Sequence, residues 1–211
     1  MLFNTHTHFD FHEGVAIQNC DDLEIPNSYF SIGNHPWHSE SLLFQLDEIK
    51  VIGKLEKCLA IGEIGLDKLK NKNLSKQTSL FIQQIEVAEE LKLPVILHCV
   101  KSWNEIEKIK RQLKPKQKWI FHGFNKESIL NQVVKNELMI SIGHSILSNE
   151  KLQNSLKNIP NNQLLIETDD KMVDILDIYK KVSDLKNISL SDLEKIIEQN
   201  FTNTFTKWQI G

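Results

Sequence analysis

Short apolar runs that read as β-strands alternate with amphipathic runs along most of this 211-residue chain. The amphipathic runs repeat their apolar residues with the 3.6-residue period of a helix, whereas the strand-like runs are short and continuously apolar. This alternation is typical of an α/β fold with a largely parallel sheet. About eight such strands are present, which predicts a (β/α)₈ TIM-type barrel.

The early part of the chain departs from this pattern. Between His8 and Tyr29 there is no helical periodicity, and residues 9–14 are too few for a parallel crossover. The chain is also shorter than the ~250 residues typical of the barrel. We therefore predict a barrel that is trimmed or irregular in its first two βα units, with a first helix at about residues 39–53. We expect residues 1–211 to form a single domain.

Charge and apolar content narrow the class of protein. The formal net charge of -3 gives no general attraction to nucleic acid or anionic lipid. No apolar run approaches a membrane span, and the N-terminus lacks the basic and apolar segments of a signal peptide. Cys20, Cys58 and Cys99 are widely spaced and odd in number, which favours reduced thiols over a disulfide framework. We expect a cytoplasmic protein without a membrane partner.

Two histidines at the end of the first strand form half of a possible metal site. His6 and His8 are two residues apart, so in a strand their imidazoles project to the same side. Four further candidate ligands follow later strands in the same position: Glu63, His98, His122 and Asp169. The carboxyl ends of barrel strands converge on one mouth. Six ligands exceed what one zinc ion needs and predict a two-metal site with a bridging acid.

Each of these residues also has an ordinary structural interpretation. His98 and His122 could be hydrogen-bonded core histidines, and Glu63 and Asp169 could cap helices. Six such groups in one mouth without a cation would be costly to desolvate, which favours metal. In the loop after the third strand, His35 is predicted to orient a ligand or contact a substrate. Surface or loop positions are expected for the other histidines, His12, His38 and His144.

Six motifs occur in order along the chain: NTHTHF (4–9), GNHP (33–36), AIGEIGLD (60–67), LPVILH (93–98), FHGF (121–124) and ETD (167–169). Together they resemble the TatD-related deoxyribonuclease family, which belongs to the amidohydrolase-like metal-dependent hydrolases. The His-x-His motif alone is weak evidence, whereas GEIGLD combined with ETD is specific. The resemblance implies a (β/α)₈-type barrel that holds two, occasionally three, divalent ions and hydrolyses phosphodiester bonds in DNA.

The resemblance also implies how the ligands are shared between two ions. Carried over by position, one ion is held by His6, His8 and Asp169, the other by His98 and His122, with Glu63 bridging both. Two such ions can generate hydroxide from bound water and clamp the oxygens of an in-line displacement. Glu63 and Asp169 are then the catalytic carboxylates, and Asp169 could act as proton acceptor or only as ligand. Mg²⁺, Mn²⁺ and Zn²⁺ all suit the donor set.

The chain departs from the family in its basic residues. Many relatives carry an Arg-Asp pair shortly after the strand-five histidine, where this sequence has Cys99-Val100-Lys101-Ser102. Arg111 is the only arginine and falls on a predicted helix, so no arginine fork is available for a phosphate. We hypothesise that Lys101 or Lys126 supplies a point charge to the substrate phosphate. Either could equally be a solvated lysine at a helix start.

The leading hypothesis is a metal-dependent phosphodiesterase, a TatD-like deoxyribonuclease acting on DNA ends or short oligonucleotides. The lack of a basic surface argues against tight binding of long duplex DNA. Trp37 and Trp103 could stack on bases or could pack in the core or loops. Two alternatives stay open: an amidohydrolase-type C–N or ester hydrolase, whose sites commonly have a lysine where this chain has Glu63, and a metal-binding interaction protein without turnover. The oligomeric state is not defined, and a monomer is compatible with the sequence.

Overall fold

Eight parallel strands in sequence order form one curved sheet in the computed structural model, which describes residues 1–70 and 73–208. The strands are β1 (Leu2–Thr7), β2 (Gly14–Asn19), β3 (Tyr29–Ile32), β4 (Cys58–Asp67), β5 (Val95–Val100), β6 (Trp119–Phe121), β7 (Met139–Ile142) and β8 (Leu164–Ile166). Every neighbouring pair is parallel. The predicted TIM-type (β/α)₈ barrel is confirmed.

Helices alternate with the strands from β3 onward. The described residues form α1 (Leu46–Gly53), α2 (Leu74–Leu91), α3 (Trp103–Leu113), α4 (Leu130–Lys135), α5 (Glu150–Ser155), α6 (Ile175–Lys186) and α7 (Leu190–Thr204). Short irregular segments, residues 8–13 and 20–28, connect β1 to β2 and β2 to β3. The predicted trimming of the first two βα units is therefore confirmed. Within the described ranges, no helix has both the length and the apolar character needed to cross a membrane.

The first helix begins later than the sequence predicts. We expected it at about residues 39–53, but α1 starts at Leu46. The side chain of Asn34 holds the preceding segment in a loop, because its Oδ1 accepts the amides of Leu43 and Phe44 and its Nδ2 donates to the Phe44 carbonyl. The helix then starts where the Glu48 carboxylate accepts the amide of Gln45 at 2.6 Å. A side chain nine and ten residues earlier in the sequence thus overrides the local helical pattern.

The core lies inside the barrel and between the sheet and the helices, and all ten residues of β4 are buried. Two buried glutamines on α2 link that helix to the mouth of the barrel. Gln77 makes two hydrogen bonds with the backbone of Asp67, at 2.8 and 2.9 Å. Gln84 binds the backbone of Asn34 in the same way, at 2.6 and 3.0 Å. Buried amides are satisfied here, and both contacts fix backbone at the mouth.

Backbone pairing closes the barrel between β1 and β8 only at the mouth. Thr7 bridges to Asp169, whose amide donates to the His6 carbonyl at 3.0 Å. The carbonyl of Asp169 accepts the His8 amide at 3.2 Å. Closure therefore places His6 and His8 directly beside Asp169, which follows β8.

Side chains seal the rest of the seam between β1 and β8. The Asn4 amide donates to the Thr168 hydroxyl at 2.8 Å and accepts the Thr168 backbone amide at 3.1 Å. Further down, the hydroxyl of Tyr179 on α6 accepts the Phe3 amide and donates to the Phe3 carbonyl, both at 3.0 Å. One buried phenol thus satisfies both backbone groups that a strand neighbour would otherwise pair.

A glycine on β4 allows close contact with β5. Gly65 pairs with His98 and has a φ of +150°, and a β-carbon at this position would lie 1.9 Å from the His98 carbonyl oxygen. Only glycine combines this backbone conformation with this approach. The contact also sets the position of the His98 backbone relative to β4.

Replacing Gly65 should therefore be unusually destabilising. We expect Gly65→Ala to lower the free energy of unfolding by about 3 kcal/mol or more, because backbone strain adds to a backbone collision. The matched control is Gly123→Ala, since Gly123 has a φ of +56° but an added β-carbon would meet no atom closer than 3.9 Å. That variant should lose only about 1–2 kcal/mol. Equal losses in urea unfolding of the two variants would contradict this account.

The seam predicts a second stability effect. Tyr179→Phe leaves the amide and carbonyl of Phe3 buried without their partner, so we expect a loss of about 1–3 kcal/mol in the free energy of unfolding. Tyr29→Phe is the control, because the half-buried Tyr29 hydroxyl has no hydrogen-bond partner among the residues described. Denaturant titration followed by circular dichroism measures both. A Tyr179→Phe variant as stable as Tyr29→Phe would show that the phenol does not hold the seam.

Candidate metal centre

The mouth of the barrel brings together all six predicted ligands. His6 lies in β1 and His8 follows this strand directly; their ring centroids are 5.0 Å apart, and the His122 ring lies 4.7 Å from His6. Their ligand atoms, with those of the carboxylates, form overlapping groups of three in which all the atoms lie within 4.8 Å of one another. Residues that are up to 163 positions apart in sequence thus meet at one point, as the strand-end argument requires.

One oxygen of Glu63 faces His6 and His8. Its Oε2 lies 3.5 Å from His6 Nε2 and 3.8 Å from His8 Nε2. Asp169 Oδ1 completes this group, at 3.6 Å from His6 Nε2 and 3.5 Å from His8 Nε2. Two donors bound tetrahedrally to one cation at ~2.0–2.2 Å are themselves about 3.4 Å apart. The spacing within this group is therefore that of ligands around a shared cation, and it is longer than an ordinary hydrogen bond.

The other oxygen of Glu63 faces a second group of imidazoles. Its Oε1 contacts Nδ1 of His98 and lies 2.6 Å from His122 Nε2. His35 joins this group, with its Nε2 3.5 Å from Glu63 Oε1 and 3.2 Å from His98 Nδ1. A single buried carboxylate, 5% exposed, therefore presents its two oxygens to two different sets of nitrogen donors.

A bulge in β4 aims Glu63 into the mouth. The sequence predicted a strand ending on this residue, but β4 continues to Asp67. Ile61 pairs with Val95 on β5, and the next paired residue, Ile64, pairs with Leu97. Between these two pairs β4 therefore contains one residue more than β5. Such an extra residue re-aims a side chain that would otherwise follow the alternation of the strand. The Glu63 amide is held by the side-chain oxygen of Asn19 at 3.0 Å.

A carboxylate stands behind three of the imidazoles, at the ring nitrogen that faces away from Glu63. The pairs are His98 Nε2 with Asp67 Oδ2 at 3.3 Å, His122 Nδ1 with Glu167 Oε1 at 3.6 Å, and His8 Nδ1 with Asp21 Oδ2 in direct contact. Metal-ligating histidines usually have such a partner, which fixes the ring orientation and the tautomer.

Sequence reasoning missed these three carboxylates as functional residues. Asp67 and Glu167 lie within the AIGEIGLD and ETD motifs and at strand ends, so the signal that identified the ligands could have found them. Asp21 follows β2 by two residues, in a part of the chain without the regular βα pattern. Its acidic Asp21-Asp22 pair after a short strand was the only available sign.

Buried polar atoms in the site fit a divalent cation. Among the described residues, neither ring nitrogen of His6 has a hydrogen-bond partner. The same holds for Oε2 of Glu167 and for Nδ1 of His122, whose 3.6 Å approach to Glu167 Oε1 is too long for a hydrogen bond. Leaving buried donors or acceptors unsatisfied is costly. Imidazole and carboxylate together suit Zn²⁺, Mn²⁺ or Mg²⁺. The residues present therefore fit the metal that the sequence predicts.

The electrostatics of the site also favour bound positive charge. Burial by itself would raise the pKa of Glu63, but His122 and neighbouring imidazoles hold it well below its ordinary value. For His122, Glu63 and Glu167 outweigh the effect of burial and raise the pKa well above the usual range. Burial is likewise outweighed at His8, where Asp169, Asp21 and Glu63 raise the pKa to about 10. The carboxylates attract positive charge, either as protons on imidazole or as divalent cations.

The cluster opens into a cavity of about 460 Å³. Trp37 and His38 line it beside His35. The sequence predicts a surface or loop position for His38 and gives no sign that the side chain lines this cavity. The short 3₁₀ turn Pro36–His38 begins at His35, whose Nδ1 accepts the Trp37 amide, and this turn carries both side chains to the rim.

The other predicted substrate contacts lie elsewhere. Lys101 is exposed, and the Lys126 ammonium donates to the carbonyl of Cys99 and lies 5.9 Å from the Phe121 ring centroid. Neither lysine lines the cavity, and their contact with a substrate phosphate stays a prediction. Trp103 is 5% exposed and packs against Phe121, with ring centroids 6.1 Å apart, which agrees with the packing alternative for this residue.

Known proteins share both sequence and fold with this chain. The family model described as "TatD related DNase" matches residues 11–206. The chain is 29% identical over 160 residues to a putative deoxyribonuclease TATDN1 homolog of Vairimorpha ceranae, covering 74% of this chain and 57% of that protein. It is 31% identical over 172 residues to the 3'-5' ssDNA/RNA exonuclease TatD of Rahnella, covering 74% and 62%. It is 26% identical over 196 residues to the uncharacterized metal-dependent hydrolase YabD of Bacillus subtilis, covering 84% and 77%.

The fold is that of solved relatives. A crystal structure of YJJV, a TatD homolog from Escherichia coli, superposes with a TM-score of 0.84 at 19% identity and covers 97% of both chains. The chain spans between 57% and 77% of the length of the three curated relatives named above. Because the family model matches most of the sequence, this chain belongs to the TatD-related DNase family of metal-dependent hydrolases.

Proposed function

We propose that this protein is a deoxyribonuclease that hydrolyses phosphodiester bonds at DNA ends or in short oligonucleotides with two divalent cations. The observation that carries the proposal is the division of the Glu63 carboxylate between two ligand groups. Oε2 faces His6 and His8, and Oε1 faces His98 and His122. A carboxylate in this position can bridge two cations, which is the arrangement of two-metal phosphodiesterases. The Rahnella relative, named as an exonuclease on single-stranded DNA and RNA, supports a nucleic acid substrate.

In this proposal the chain holds one cation with His6, His8 and Asp169 and the other with His98 and His122. Two divalent cations, when bound, activate water as a nucleophile and stabilise charge on the attacking and leaving oxygens. Asp169 is the one carboxylate of the set that is appreciably open to the cavity, with 23% of its side chain exposed. Hydrogen bonding to His8 and the nearby imidazoles overcome the effect of burial and hold its pKa below the ordinary value. Asp169 is therefore ionised, as a cation ligand and a proton acceptor must both be, and in this proposal it accepts the proton of the attacking water.

The charge of the molecule limits the substrate. Tight binding of long duplex DNA rests largely on neutralising many phosphates with basic side chains, and a chain with a net charge of -3 has no overall excess of basic side chains for this. A cavity of about 460 Å³ matches a nucleotide or a strand end better than a duplex. Short single strands and DNA ends are the substrates that both features favour.

Hydrolysis should depend on the cations and on the carboxylates of the site. We expect chelator-treated protein to be inactive on a single-stranded DNA oligonucleotide and to recover activity with Mg²⁺, Mn²⁺ or Zn²⁺. Asp169→Asn should lower kcat/KM by about 10²–10⁴-fold, the contribution typical of a general base. The control is His144→Ala, because His144 follows β7 outside the cluster and should retain wild-type activity. Chelator-resistant cleavage, or an Asp169→Asn variant as active as His144→Ala, would contradict the proposal.

Metal content tests the number of cations separately from turnover. We expect two equivalents of divalent metal per chain in tag-free protein purified without chelator and reconstituted with Mn²⁺. Bound metal should also raise Tm, since a free concentration 100 times Kd stabilises the folded state by about 2.7 kcal/mol per site. Glu63→Gln should lower the stoichiometry and diminish the Tm shift, whereas His144→Ala should preserve both. A single equivalent in the wild-type protein would rule out the two-metal arrangement.

A further inference from the structure

A partly exposed tryptophan stands at the rim of the metal-binding cavity. Trp37 is 47% exposed and lines the same cavity as His98 and Glu63. The centroid of its ring lies 4.5 Å from that of His35 and 6.4 Å from that of His98. The indole is thus a direct neighbour of imidazoles that contact Glu63, and part of its surface remains available to a ligand.

Hydrogen bonds hold the indole in a fixed orientation. Trp37 Nε1 donates to Asp67 Oδ2 at 2.8 Å. Asp67 is only 2% exposed, and its Oδ1 accepts the amides of Leu69 and Lys70 at 2.8 and 3.1 Å. The Trp37 amide is bound in turn by His35 Nδ1 at 3.2 Å. A ring fixed in this way loses little conformational entropy when a ligand packs on it.

The remaining walls of the cavity do not provide a fixed cation. Among the described residues that line it, none is a lysine or arginine, and the polar members are histidine, aspartate, glutamate and asparagine. Under the proposed function the phosphate of a nucleotide lies at the imidazole and carboxylate cluster, and the indole is the large apolar surface beside that cluster. Lys70 lies outside the lining, with its Nζ 4.3 Å from the indole centroid. Trp37 keeps 47% of its surface exposed with Lys70 and His35 in contact with it, and this exposed part of the indole is the surface offered to a base.

We propose that Trp37 forms a base-binding subsite, on which the nucleobase adjoining the scissile phosphate stacks. The inference rests on the proposed function, because it assigns the base of the same substrate whose phosphate lies at the Glu63 cluster. A base and its phosphate are joined through one sugar, so they lie close together. A base stacked on Trp37 therefore has its phosphate near His35 and His98, whose rings neighbour the indole. Stacking accepts every base and requires that the base be free of its duplex partner. The subsite therefore favours unpaired ends and gives little sequence preference.

The test compares variants on two matched oligonucleotides. One is an ordinary single-stranded DNA oligonucleotide, and the other is the same strand with the terminal nucleotide at each end made abasic. On the ordinary strand, Trp37→Leu should lower kcat/KM about 5- to 150-fold, mainly through KM, which corresponds to the ~1–3 kcal/mol of base stacking. Trp37→Phe keeps an aromatic face and should lose much less. On the abasic strand the wild-type protein should already be slow, and Trp37→Leu should add little further loss.

Other results would overturn the inference. Equal losses by Trp37→Leu on both strands would show that the indole acts only by supporting Asp67 and His98. A wild-type protein that cleaves both strands equally well would exclude a base subsite without any variant, which covers the case that Trp37→Leu does not fold. Tm and its shift with Mn²⁺ report folding and the metal centre of each variant separately.

A failure of the proposed function itself would give a result distinct from those above. If the wild-type protein hydrolyses no oligonucleotide, the proposed function fails, and the subsite is then judged by binding alone. Fluorescence anisotropy of a labelled single-stranded oligonucleotide should then show weaker binding to Trp37→Leu than to Trp37→Phe. Equal Kd values for the two variants would overturn the base-binding subsite as well.

Discussion

The structure depends on one buried carboxylate placed among five imidazoles. Removing Glu63 from water costs several kcal/mol unless positive charge or hydrogen bonds compensate. The chain compensates by placing histidines within two residues of the ends of β1, β5 and β6, where they reach the same point, with His35 added from the loop after β3. A bulge in β4 and the side chain of Asn19 fix where the carboxylate lies. The barrel thus concentrates charge at its mouth, and divalent cations are the natural partners of that charge.

The same residues close the barrel and form part of the site. Asp169 is the residue through which β8 reaches β1, and its carboxylate joins the group formed by His6 and His8. Below this point the seam is held by side chains, chiefly Asn4 and Tyr179, instead of a continuous ladder. Asn4 binds Thr168, the residue directly before Asp169, and Tyr179 binds Phe3, so the side chains of the seam support the backbone that carries this ligand group.

The strand-end pattern predicted the barrel, its missing early helices and which six side chains would meet, because each of those features follows from short-range periodicity and parallel topology. Features that depend on distant residues could not be predicted. The late start of α1 is set by Asn34, and the position of Glu63 within β4 is set by a bulge against β5. The carboxylates behind His98 and His122 are visible as motif residues, but their role appears only when β4, β5, β6 and β8 are brought together. Lys126 is a further example. Its place after a strand suggested a contact with substrate, but it gave no sign that the Lys126 ammonium would donate to the Cys99 carbonyl.

Whether Glu63 bridges two cations can be decided by anomalous diffraction from crystals of the Mn²⁺-loaded protein, because this measurement locates each cation relative to the Glu63 oxygens. We expect two peaks ~3.5–4 Å apart, one between Oε2 and the His6–His8–Asp169 group and one between Oε1 and the His98–His122 group. One peak only, or two peaks of which one makes no contact with Glu63, would contradict it.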